Sequence, residues 1–291
     1  MPIYEQSYRR FEGGLVSHWR WWIMAQQETR VLLSMRSFLI LMVLGFAQFF
    51  FRLVQIVGYS MLASNPSNPL TMALRQIDLL SVDNQMYFDF LRLQAGFVFV
   101  MTIATGSGFI CNDFRYNLTE IYFSKPLSWK DYVFGKVSTL VILGLTLTAV
   151  PALVLNFLYV ALIPSWEHAY DALNLVIPIV VFSLSIVLSC TLGVLASSAL
   201  FTSQRFASIA VFMVLLGNVS IVTVLAGILR KGNLLAWAYP MTLNRIGESL
   251  FEVRHKTFTV DWQVCMVYVL IVCTVCLWII CQRVRKAGSA I

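Results

Sequence analysis

Charge is scarce in this chain. Asp, Glu, Lys and Arg make up 12% of the 291 residues and hydrophobic side chains 59%. An ordinary soluble domain is about a quarter charged, so a water-soluble globule is excluded. Histidine is scarcer still. His18, His168 and His255 all fall in polar intervals, which excludes haem held by paired helix histidines and HExxH zinc chemistry. No Asp, Glu or His is expected within the apolar runs, which argues against an ion-coupled carrier that works alone. A phosphate-binding loop is missing as well. FGKVS at 134–138 has Gly-Lys, but Val follows and no Gly stands five residues before Gly135. The chain is therefore not expected to hydrolyse ATP itself. Ser107 in TGSG has no His within an apolar run to serve as its base, which argues against intramembrane hydrolysis. The mixed residues before the first apolar run, with no small-residue cleavage site after it, do not read as a signal peptide. Cys190, Cys265, Cys273 and Cys276 lie inside apolar runs and Cys111 and Cys281 at the ends of two others. They read as small hydrophobes rather than disulfide partners, and no metal site is expected.

What the sequence does have is long apolar runs, at about 37–61, 93–111, 132–163, 175–200, 206–229 and 263–281. Each is near or above the roughly 20 residues that cross a bilayer as a helix. The expected fold is an all-α polytopic membrane protein with an N-terminal interfacial segment (1–36), a six-helix transmembrane domain (37–281) and a short tail (282–291). Fourteen Phe, Leu, Ile or Val residues between positions 38 and 57 outweigh Arg52, at about 0.3–0.6 kcal/mol each against about 3 for the arginine. Arg52 fits either a polar contact in a translocation path or a side chain snorkelling to headgroups. Pro151 should kink the third span. Ser185, Ser189, Gly193 and Ser197 recur at four-residue steps in the fourth and should admit a close helix neighbour, most simply in the same chain. In the N-terminal segment, Leu15, Trp19, Trp22, Ile23 and Gln26 fall at helical spacing, with Arg20, Gln27 and Glu28 off that stripe. Trp and Arg together suit a helix in the headgroup plane. The interval 62–92 should hold one amphipathic helix around 70–80, and NLLAWAYPMTL at 233–243 should dip partly into the membrane.

Thirteen of the 21 Lys and Arg residues lie in the N-terminal arm, the stretch 112–136, the turn 201–205 and the C-terminus. Seven lie in the alternating segments. The positive-inside rule then places both termini in the cytoplasm of an inner (cytoplasmic) membrane protein. The net charge of +7 reflects this topology and not a nucleic-acid surface.

The stretch 112–136, NDFRYNLTEIYFSKPLSWKDYVFGK, is the polar interval around which the rest is arranged. Its charges cannot sit in hydrocarbon, yet it is too rich in aromatic and aliphatic residues to be a slack loop. Asp–Phe–Arg, then Ile121–Tyr122–Phe123–Ser124–Lys125–Pro126–Leu127–Ser128, then Tyr132 to Gly135–Lys136 resembles the corresponding phrase in the membrane subunit of type-2 ABC exporters. The six spans, basic N-terminal helix and external segment before the last span extend the likeness along the chain.

The resemblance implies a permease that pairs with a second copy or a related permease and with two separate ATPase subunits, which would hold the ATP and Mg. No cofactor would bind this chain. The N-terminal helix would be an interfacial elbow, and 112–136 the coupling element seated on the ATPase. Asp113, Arg115 and Glu120 would offer charges there, beside Trp129 and Asp131. Lys125 and Pro126 would set the turn between two short helices, and Tyr132, Gly135 and Lys136 would start the third span. Lys136 fits equally a basic anchor at the membrane surface. The path would run between permeases, with Phe49, Phe50, Arg52 and Phe97 as candidate lining for lipid-like or amphipathic cargo. Two other readings remain: a membrane subunit that spends ATP on envelope regulation, and an ATP-independent carrier.

Overall fold

Apolar runs of this length satisfy their backbone in lipid only by coiling. The computed structural model describes residues 19–64, 82–124, 127–162, 166–253 and 260–288, and among them every regular element is a helix. An N-terminal helix α1 (Arg20–Ser34) turns at Met35 into α2 (Arg36–Ser64). Then come α3 (Asn84–Gly106), two short helices α4 (Cys111–Arg115) and α5 (Leu118–Phe123), and α6 (Trp129–Leu147) running into α7 (Ala149–Leu162). The chain closes with α8 (Trp166–Leu200), α9 (Gln204–Leu229), a 3-10 turn at Gly232–Trp237, α10 (Tyr239–Leu250) and α11 (Trp262–Gly288). Six stretches are long and apolar enough to cross a membrane, in α2, α3–α4, α6–α7, α8, α9 and α11. Residues 1–18 of the N-terminal segment and the helix expected around 70–80 lie outside the described residues.

Helix α8 is the axis of the bundle, packed by α3, α6, α7, α9 and α11. Two hydrophobic cores lie along the bundle. One gathers Leu32, Phe38, Met101, Ile110, Tyr132, Leu140, Leu195 and Val284. The other gathers Ile56, Tyr87, Phe90, Leu155, Phe182, Ile246 and Phe251. Helix α9 is the most exposed span, with only 6% of its apolar window buried.

The second spanning helix begins at Asn84, well ahead of residue 93, because Met86, Tyr87, Phe88, Phe90 and Leu91 form a buried face that continues it outward. This brings Asp89 into a helix expected to hold no acid, which corrects that expectation. Asp89 and Arg52 of α2 attract each other across two packed helices.

Pro151 has the effect expected of it. The helix breaks at Thr148, and the Leu147 carbonyl, which would bond residue 151, finds no N–H there. Gln94 of α3 replaces it, donating from Nε2 to Leu147 O at 2.7 Å and to Gly45 O of α2 at 3.1 Å. One buried amide thus ties three helices together. Gln94→Leu should destabilise the chain by about 1–3 kcal/mol, the cost of a buried orphan carbonyl. Pro151→Ala, which restores an N–H, should recover part of that loss. Thermal unfolding of the two single variants and the double variant measures the coupling, and additive effects would show that Gln94 does not serve this carbonyl.

Candidate functional site

The polar stretch folds as a knuckle between α3 and α6. Ser198 of α8 holds its entry, accepting from the N–H groups of Ile110 and Cys111 at 3.1 Å each and donating to Ser107 O at 2.8 Å. Asn117 then takes the left-handed conformation (φ 54°) that Asn tolerates better than most residues, and so turns α4 into α5. At the exit, Ser128 caps α6. Its hydroxyl accepts from Asp131 N at 3.2 Å while Asp131 Oδ2 reaches back to Ser128 N at 3.2 Å, a capping box.

Beneath the knuckle lies an ionic joint. Lys136 Nζ is 2.6 Å from Glu28 Oε1 of α1 and 2.9 Å from Asp113 Oδ2 of α4. Tyr132 Oη donates to the same Asp113 oxygen at 2.7 Å. The ammonium also lies over the rings of Phe109 and Tyr132, at 5.1 and 5.6 Å. With its side chain 2% exposed, Lys136 has two carboxylates and two ring faces in place of water. Snorkelling to the surface is thereby ruled out. Burial, then the nearby Asp113 carboxylate, pushes the Tyr122 phenol up, so Tyr122 adds no charge at neutral pH. Gly135 permits the close approach of α1 to α6, since a Cβ there would lie 3.2 Å from Trp21 O and from Met24.

The residues singled out in the sequence separate into groups. Asp113, Tyr132, Gly135 and Lys136 converge on the joint. Arg115 and Glu120 are exposed, as are Tyr116 (64%) and Ile121 (55%), while Tyr122 and Phe123 turn inward with ring centroids 6.0 Å from Tyr132. Trp129 is half-buried beneath Lys130, and Asp131 is engaged in the cap. Lys125 and Pro126 lie outside the described residues.

On α1, Trp19, Trp22 and Ile23 are exposed and Met24, Ala25 and Leu32 are buried. Glu28 therefore belongs to a second, inward stripe. Its four-residue spacing from both Met24 and Leu32 is the sequence signal for that stripe.

A cavity of about 780 Å³ opens between α3, α8, α9, α10 and α11. Ser189, Gly193 and Ser197 of the small-residue row of α8 line it. Ser197 Oγ donates to Ala207 O of α9 at 2.8 Å, a close approach within the chain, whereas Gly193 faces open space. Ser185 and Ser189 bond back to their own helix. The four candidate path residues do not gather there. Phe49 packs between Phe46 and Phe50, Phe50 is exposed and Phe97 is half-buried. Arg52 donates to Gln55 Oε1 at 2.6 Å.

The family described as ABC-2 family transporter protein matches the chain over residues 22–279. The chain belongs to the ABC-2 transporter family. No curated protein matches it. Membership makes this a multi-pass membrane protein, the membrane subunit of an ABC transporter, of a kind that associates with ABC ATPase subunits. The match takes in α1 from its third residue, the knuckle, the joint and the first two thirds of α11.

Proposed function

We propose that this ABC-2 permease moves an amphipathic cargo outward, driven by two ATPase subunits that seat the α4–α5 knuckle, and that a second permease completes the path. The observation that carries this reading is the division of labour within 112–136. Asp113, Tyr132 and Lys136 bind the knuckle rigidly to α1 and α6, while Arg115, Tyr116, Glu120 and Ile121 stand exposed on its outer side. Such a mix of charge and apolar surface on a short, braced element suits docking into a cleft of a partner. In this account Asp113 and Lys136 transmit force and do not touch the ATPase. The exposed α1 face of Trp19, Trp22 and Ile23 lies in the headgroup plane, both termini are cytoplasmic, and the site is the inner membrane.

The exposed flank of α9 is the face offered to the second permease. Cargo transport is preferred over a purely regulatory use of ATP because the subunit contains a large apolar cavity along the membrane-spanning helices. ATP binding would draw the two knuckles together, and α6, stiff up to Thr148, would carry the displacement into the bundle.

Glu120→Arg and Ile121→Asp change exposed side chains, so each should leave the unfolding temperature of the permease within about 2 °C. Co-purification of the ATPase and the ATPase rate of the complex should fall at least about fivefold, the loss expected when an anchor side chain is removed from an interface. Unchanged association and rate in both variants would reject the knuckle as the docking element.

A further inference from the structure

The 780 Å³ cavity has a chemical asymmetry that specifies its occupant. Its walls are Phe, Leu, Val, Ala and Gly side chains with a few hydroxyls and amides. Arg92 is the one charged residue among the described lining residues. Arg92 lies in α3, is exposed where it lines the cavity, and makes no ion pair within 4.0 Å among the described residues. An exposed guanidinium lining an apolar chamber offers a charge-assisted contact to an anionic headgroup whose apolar chain enters the chamber.

The length of the cavity fits as well. Its lining on α8 runs from Phe182 to Leu200, about 27 Å at 1.5 Å per residue, close to the roughly 30 Å hydrocarbon thickness. Its volume is within the range of about 300–1,000 Å³ usual for small-molecule sites. Two glycines give the chamber its width. A Cβ built on Gly96 or on Gly193 meets nothing within 4 Å, so neither glycine is required by helix packing.

We infer that this cavity binds a single-chain anionic amphiphile, its headgroup on Arg92 and its chain laid along Gly193 toward Leu200. This names the cargo class for the reading above and rests on it only for the direction of movement. Binding itself requires no ATPase activity.

The test uses the permease–ATPase complex in a neutral detergent, with lysophosphatidylglycerol, oleate and lysophosphatidylcholine as probes and retained ligand read by native mass spectrometry. At least one of the two anionic probes should bind about tenfold more tightly than the zwitterionic one, as expected for a charge-assisted contact. The better of the two then assigns a phosphodiester or a carboxylate headgroup. Arg92→Gln should remove that preference. Gly193→Leu, which fills open space, should abolish binding of all three probes while leaving the unfolding temperature unchanged. Equal binding of anionic and zwitterionic probes, or binding that survives Gly193→Leu, overturns the inference. Those results leave the docking experiment on Glu120 and Ile121 untouched, so the two readings fail separately.

Discussion

Lys136→Met should cost the folded chain about 3–5 kcal/mol, the usual penalty for removing one partner of a buried ion pair. Methionine fills much the same volume, so packing changes little. What is lost is the cation that, among the described residues, pairs with both Glu28 and Asp113. Asp113 keeps the Tyr132 hydroxyl at 2.7 Å but no positive charge. Glu28, whose side chain is 20% exposed, can turn toward water and so release α1 from α6. The expected result is a fall in unfolding temperature of about 10 °C, taking 2–4 °C per kcal/mol for a chain of this size, together with protease sensitivity between α1 and α2.

Partner variants separate charge from contact. Asp113→Asn leaves Lys136 with Glu28 and should cost less, about 1–3 kcal/mol, the loss of a charged hydrogen-bond acceptor. The triple change Glu28→Gln, Asp113→Asn and Lys136→Met removes every charge and should be milder than Lys136→Met alone. If Lys136→Met unfolds at the wild-type temperature, the joint does not hold the knuckle. The same measurement bears on function, because in the proposed mechanism the joint passes force from the knuckle to α6.

Gly247→Leu should be comparably damaging for a steric reason. A Cβ at 247 would lie 2.5 Å from Phe88 Cε2 and 2.7 Å from Phe182 Cζ. Phe88, Phe182 and Phe251 form a closed ring cluster, with centroids 5.9, 6.3 and 6.1 Å apart. None of the three can give way without displacing another. Overpacking of a filled core costs about 1–3 kcal/mol and at times more, and here it would lift α10 from α3 and α8. Gly247→Ala should show the lower end of that range. Phe88→Leu in the Gly247→Ala background should restore stability, because it removes the ring that meets the new methyl group. Equal unfolding temperatures for wild type and Gly247→Leu would mean that α10 is not seated on this cluster. Because α10 also lines the amphiphile cavity, Gly247→Leu should weaken probe binding too, through its wall and not through Arg92.

Much of the fold was legible because the membrane imposes so strong a constraint on composition. Long apolar runs with few charges leave no alternative to spanning helices, and the count of six follows directly. The capping box Ser128–Asp131 is also visible as Ser-x-x-Asp. The boundaries were less legible. Asp89 and Arg92 read as the end of an external segment because charge ordinarily stops a span, whereas apolar contacts on the other face of α3 carry the helix past them.

The sequence by itself determined the membrane setting, the all-helical class and the family phrase in 112–136, since each depends on local composition or on order along the chain. Only the tertiary structure decided that Asp113 and Lys136 face each other and Glu28, that Gln94 serves the carbonyl freed by Pro151, and that Gly96, Gly193 and Arg92 share one cavity. Each of these joins residues dozens of positions apart. Pairing of that kind is set by how helices cross and rotate against one another, and no local pattern of hydrophobicity or charge encodes the rotation.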